Sequence, residues 1–167
     1  MKAAREKRQV MSTTMAILGD TGNFNPEVME VLLQKDLRLL FVSEDEEQLS
    51  LLRTRMNTME AVAEVDYVSC EREGCWEADM ILLVNPHRSS ASLVEKIREV
   101  ATQKIVLVTS ETNAQQEQPD LKKLLPWSRV VEVYLDPVHR KISFCSNDAE
   151  ATHTVEQFFE PTGYQLN

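Results

Sequence analysis

The chain has 167 residues, 43% of them hydrophobic and 27% charged, with a formal net charge of −9. That is the composition of an ordinary globular domain. Residues 1–12 carry Lys2, Arg5, Lys7 and Arg8 against Glu6 (+3), which leaves −12 on the rest and argues against a nucleic-acid partner. No apolar run reaches the ~18–20 residues of a membrane span, and Cys70, Cys75 and Cys145 lack a zinc-ligand spacing, so a cytoplasmic protein with reduced thiols and no membrane partner is expected.

The basic segment 1–12 has no apolar core of a leader peptide and reads as a disordered tail preceding a domain over 13–167. The first apolar run, Met15-Ala16-Ile17-Leu18, predicts a strand. It runs into Gly19-Asp20-Thr21-Gly22-Asn23-Phe24, where two of the chain's four glycines fall, and then into a helical pattern at Val28, Met29, Val31, Leu32 and Leu33. A strand, a glycine turn and a helix aim backbone N–H groups and a positive helix end at one point, as in a dinucleotide pyrophosphate site. Asn25 stands where a third small residue belongs, and Pro26 suits a first helical turn.

The run at 37–43 predicts a second strand that ends at Ser43 and is followed by Glu44-Asp45-Glu46-Glu47. Those carboxylates suit the N-terminus of the next helix, marked by Leu49, Leu52, Met56 and Met59. They also stand where a nucleotide-binding sheet reads the adenine ribose. An acid there accepts from the 2′-hydroxyl of NAD and repels the 2′-phosphate of NADP, so Glu44 favours NAD.

Residues 62–70 predict a third strand, with partial alternation over 63–68, and Met80-Ile81-Leu82-Leu83-Val84 predicts a fourth, buried on both faces. That fourth strand ends at Asn85-Pro86-His87-Arg88, where His87 has the chemistry to donate to a phosphate or act as an acid, with Arg88 as a clamp. A helix at Leu93, Val94, Ile97 and Val100 leads to a buried strand at 105–108 that closes on Thr109-Ser110. Residues 111–118 read as a loop, 121–125 as a short helix stopped by Pro126, and 130–134 and 141–145 as two further strands. Asp148 caps a last helix through Val155, Phe158 and Phe159 that ends before Pro161. Strands every 20 to 30 residues with helices between them predict an α/β fold: a doubly wound, mostly parallel sheet in one domain. His139 and His153 have no supporting partner nearby in sequence and read as surface residues.

In these phrases the chain resembles the deazaflavin (coenzyme F-420)-dependent NADP reductase family and, more distantly, the dinucleotide domain of pyrroline-5-carboxylate reductases. The likeness rests on residues 15–23, on Glu77-Ala78-Asp79 with the strand to Asn85-Pro86, on residues 104–109, on Leu124-Leu125-Pro126 with Arg129-Val130-Val131, and on Phe144 with Asp148-Ala149-Glu150-Ala151. It implies a Rossmann-like domain with a pyrophosphate over Thr21, Gly22, Asn23 and Phe24. The nicotinamide is then expected near Pro86, His87 and Thr109, and a flavin, deazaflavin or small-molecule partner takes or gives the hydride. The chain departs from that pattern at Asn25, at Ser43-Glu44 where the family carries Ser-Arg, at Val133-Tyr134-Leu135-Asp136 where it carries Phe-Asn-Thr, and at 136–140, where a pocket-walling insertion shrinks to a turn. The family favours NADP and Glu44 favours NAD. Two readings follow: a small NAD(P)-dependent oxidoreductase, or a non-catalytic module that senses a nucleotide or contacts another protein. A homo-oligomer paired through an apolar edge is compatible with both.

Overall fold

The computed structural model describes residues 13–87, 90–111 and 120–167. The basic tail, Arg88 and most of the polar loop after Thr109-Ser110 lie outside the described residues. The chain opens with β1 (Thr13–Gly19), a 3-10 turn (Thr21–Asn23) and α1 (Pro26–Leu33), then β2 (Leu37–Val42) and α2 (Glu46–Met56). It continues through β3 (Glu64–Val68), α3 (Glu71–Glu77), β4 (Met80–Val84), α4 (Ala91–Ile97) and β5 (Ile105–Glu111). The last part holds α5 (Leu121–Leu124), β6 (Arg129–Asp136), β7 (Lys141–Cys145), α6 (Ala149–Phe159), a 3-10 turn and β8 (Gln165–Leu166).

The strands form one sheet in the order β3-β2-β1-β4-β5-β6-β7-β8. Pairing is parallel from β3 through β6, and only β6 with β7 is antiparallel. All five residues of β4 are buried, which explains its unbroken apolar run: helices cover both faces. The alternating side chains of β1 sort the core. Met15 and Ile17 join Met29, Leu32, Leu52, Val155 and Phe159 on the face of α1, α2 and α6. Ala16 and Leu18 join Cys75, Val94, Ile97 and Leu121 on the face of α3, α4 and α5. A side chain of this size, fully buried, contributes about 1.5–3 kcal/mol, so these two layers carry the fold.

The helix α3 is nearly silent in the sequence because only Gly74 and Cys75 of its seven residues are buried, while Trp76 is 72% exposed. Its close approach to the sheet depends on Gly74, where a β-carbon would come 2.6 Å from Val42 Cγ2. The strand order reverses direction between β1 and β4. At such a switch point a crevice opens outside the carboxyl ends of the two strands, and that is where doubly wound sheets take ligands.

Candidate functional site

The crevice begins at Gly19, whose φ is +100° and whose missing β-carbon would lie 2.7 Å from the Val84 carbonyl oxygen. The next amide, of Asp20, donates to that same oxygen at 3.0 Å and binds the loop to β4. Gly22 is different: a β-carbon there would meet nothing within 4 Å, so its smallness keeps space open outside the loop. Within the 3-10 turn the amide of Asn23 donates to Asp20 and that of Phe24 to Thr21. The amides of Thr21 and Gly22 have no acceptor among the described residues. Phe24 points inward, 3% exposed, as part of the core beneath α1.

The start of α1 is occupied from within. Pro26 has no N–H, and Asn25 Oδ1 accepts from the amides of Glu27 (3.0 Å) and Val28 (3.2 Å). Asn25 is therefore an N-cap, a role the sequence reading did not give it. Glu27 adds a carboxylate in the first turn, where Arg140 of the β6–β7 turn meets it at 3.3 Å.

At the end of β2, Ser43 and Glu44 part company. Ser43 Oγ donates to Gln48 Oε1 at 2.7 Å and accepts from the Asp45 amide. Gln48 Nε2 donates to Thr21 Oγ1 at 2.6 Å and to the Gly19 carbonyl at 3.2 Å. Glu44 instead pairs with Lys96 of α4 at 3.2 Å, and Lys96 also lies 3.8 Å from Glu71. Burial, aided by the Glu44 charge, pushes the Glu71 carboxyl up, while Lys96 opposes the shift. Gln48, which the sequence reading did not single out, joins the end of β2 to the turn after β1. Its signal was slight: one neutral amide after four acids.

At the ends of β4 and β5, Asn85 adopts φ +43° and fastens two elements. Its amide donates to the Thr109 carbonyl at 2.8 Å, and its side-chain Nδ2 donates to the Asn23 carbonyl at 3.3 Å. Pro86 is buried, and His87 starts a turn in which its amide donates to Ser90 Oγ. Thr109 is 2% exposed, and its Oγ1 has no hydrogen-bond partner among the described residues. Strand alternation sets it on the face of Leu107, between Val84 and Val133 in register, toward the core that holds Phe24.

The structure thus brings Gly19, Asp20, Thr21, Gly22, Asn23, Asn85 and Thr109 together, with Ser43 joined through Gln48 and Glu44 turned toward α4. Burial pushes the Cys75 thiol up to about 12, so it is no nucleophile. Burial and the hydrogen bond to Glu132 likewise push the Tyr134 phenol to about 12. The β6–β7 turn spans only residues 137–140, as the sequence led us to expect. His139 and His153 are exposed, also as expected, but each has a carboxylate neighbour: His139 Nδ1 lies 2.8 Å from Asp136 Oδ2 in that turn, and His153 Nδ1 lies 4.0 Å from Glu156 Oε2. The described residues hold no cluster of three or more metal-ligating side chains and no helix long and apolar enough to cross a membrane.

An open, doubly wound sheet ordered 3-2-1-4-5-6 through its parallel part, with a glycine turn at the switch point, is the Rossmann-like architecture. Solved structures agree. The chain is similar to a candidate F-420-dependent NADP reductase from Arthrobacter sp. FB24 (TM-score 0.65, 12% identity, 91% of this chain and 82% of that one). It is also similar to a candidate NADP oxidoreductase from Bacteroides fragilis (TM-score 0.69, 13% identity, 93% and 59%). A third likeness is to the Plasmodium falciparum pyrroline carboxylate reductase with NADP bound (TM-score 0.61, 11% identity, 93% and 56%). The chain spans less than two thirds of the length of the last two. No protein-family model matches it, and no curated protein does at the level of sequence. At these identities the likeness is one of fold.

Proposed function

We propose that this chain binds a nicotinamide dinucleotide across the carboxyl ends of β1 and β4 and works as a small, reductase-like module in a reducing compartment. The observation that carries this reading is the cradle at the switch point: open space at Gly22 and the amides of Thr21 and Gly22, which have no acceptor among the described residues. Those groups fit a dinucleotide, with Thr21 and Gly22 toward its phosphates and Asn85, Pro86 and Thr109 toward its nicotinamide. A bound nicotinamide supplies the hydride, so the chain's own task is to bind, orient and exclude water. The summed charge of the exposed carboxylates after β2 opposes a 2′-phosphate at longer range, which favours NAD over NADP even though Glu44 itself turns to Lys96. The hydride partner is a flavin, a deazaflavin or a small molecule.

One observation favours a second reading, a non-catalytic module that senses a nucleotide or contacts a protein. The Asn25 cap, Pro26 and Glu27 remove the start of α1 from anion binding. Calorimetric titration with NAD, NADH, NADP and NADPH, repeated on Gly22→Asp, tests the first reading. It expects the 2′-hydroxyl forms to bind more tightly, and Gly22→Asp to abolish binding while leaving the fold intact. Absence of binding by all four would overturn it. Binding without hydride transfer to a flavin or deazaflavin, followed by absorbance, would favour the second.

A further inference from the structure

Gln48 is half-buried, whereas the four carboxylates before it are exposed. Its carboxamide is engaged at both ends: Oε1 accepts from Ser43 Oγ at 2.7 Å, and Nε2 donates to Thr21 Oγ1 at 2.6 Å and to the Gly19 carbonyl at 3.2 Å. Thr21 itself is 1% exposed. One side chain therefore spans from the end of β2 to the turn after β1. In a doubly wound sheet the ribose beside the pyrophosphate sits between those two loops. The neighbouring acid, Glu44, is drawn the other way, to Lys96 at 3.2 Å.

We propose that Gln48, rather than Glu44, is the specificity-determining residue of the adenosine-side ribose subsite, and that Ser43 and Thr21 hold its amide in place. This rests on the dinucleotide reading above. Both N–H groups of Nε2 are taken by Thr21 and Gly19, so what the amide offers a ribose hydroxyl is the remaining lone pair of Oε1, and, carrying no net charge, it adds no strong repulsion of its own against a 2′-phosphate. A carboxylate in the same place would do both, accepting from the hydroxyl and repelling the phosphate.

The test is the ratio of NADP to NAD dissociation constants by calorimetry in the wild type, Gln48→Glu, Gln48→Ala and Glu44→Gln. ADP-ribose and nicotinamide mononucleotide serve as half-ligands. Gln48→Glu is expected to raise the ratio about tenfold, the scale of one charge-assisted contact. Gln48→Ala is expected to weaken ADP-ribose about tenfold and leave nicotinamide mononucleotide unchanged, which a general loss of structure would not do. If Gln48→Ala fails to fold, Ser43→Ala and the near-isosteric Gln48→Glu carry the same comparison. A ratio that collapses in Glu44→Gln and stands still in Gln48→Glu would overturn the proposal and leave dinucleotide binding intact. A wild type that binds none of these ligands would overturn the underlying reading, and this proposal with it.

Discussion

Gly19 and Val84 are locked together: the amide following Gly19 donates to the Val84 carbonyl, and a β-carbon on Gly19 would lie 2.7 Å from that oxygen. Because φ is also +100°, any side chain at residue 19 is strained twice. Gly19→Ala is expected to cost about 1–3 kcal/mol in urea unfolding. Gly22→Ala, facing open space, should stay within about 0.5 kcal/mol of the wild type. Equal costs at the two glycines would contradict the assignment of one to packing and the other to ligand space.

The Asn25 side chain competes with any anion for the amides of Glu27 and Val28. Asn25→Ala should lower stability by about 1 kcal/mol, the worth of an N-cap. The same change should tighten dinucleotide binding by freeing two donors, so stability and affinity move in opposite directions. Affinity falling together with stability would show that the cap supports the site instead of closing it. Thermal melts and calorimetry on one preparation decide the matter.

Thr109 buries a hydroxyl that has no hydrogen-bond partner among the described residues. In the free protein Thr109→Val removes that penalty and should raise stability by about 1 kcal/mol. If the hydroxyl serves the ligand, the same variant loses about tenfold in NADH affinity. A destabilised Thr109→Val would mean that the hydroxyl has a partner in solution.

Asp148 caps α6 and takes two hydrogen bonds from Arg129, at 2.6 and 3.0 Å. Arg129 first, then the Ala151 amide, hold its carboxyl down at about 2, below the ordinary 3.8. The ionised form therefore contributes stability that is complete above the ordinary value and lost as pH falls through the lower one. Melting temperature should drop between roughly pH 4 and pH 2, and Asp148→Asn should flatten that part of the curve. An unchanged slope in Asp148→Asn would place the acid sensitivity elsewhere.

The sheet was readable because its central strands are buried on both faces and announce themselves as apolar runs, as Met80-Ile81-Leu82-Leu83-Val84 does. Gly19 and Pro26 were readable because each answers a local backbone demand. Gln48 was not, since its partners Gly19 and Thr21 lie 29 and 27 positions upstream and meet it only after β1 and β2 pair. The ion pair of Glu44 was hidden for the same reason: Lys96, its partner, lies 52 positions away on another helix. Contacts across elements decide where a charge points, and composition near the strand end does not reveal them.

The most direct measurement of dinucleotide binding at the switch point is the shift of backbone amide resonances on adding NADH to uniformly 15N-labelled protein. Saturable shifts at Thr21 and Gly22, with Asn85 and Thr109 following and the β7–β8 edge unmoved, are predicted. Shifts confined to other surfaces, or none at saturating NADH, would contradict the account.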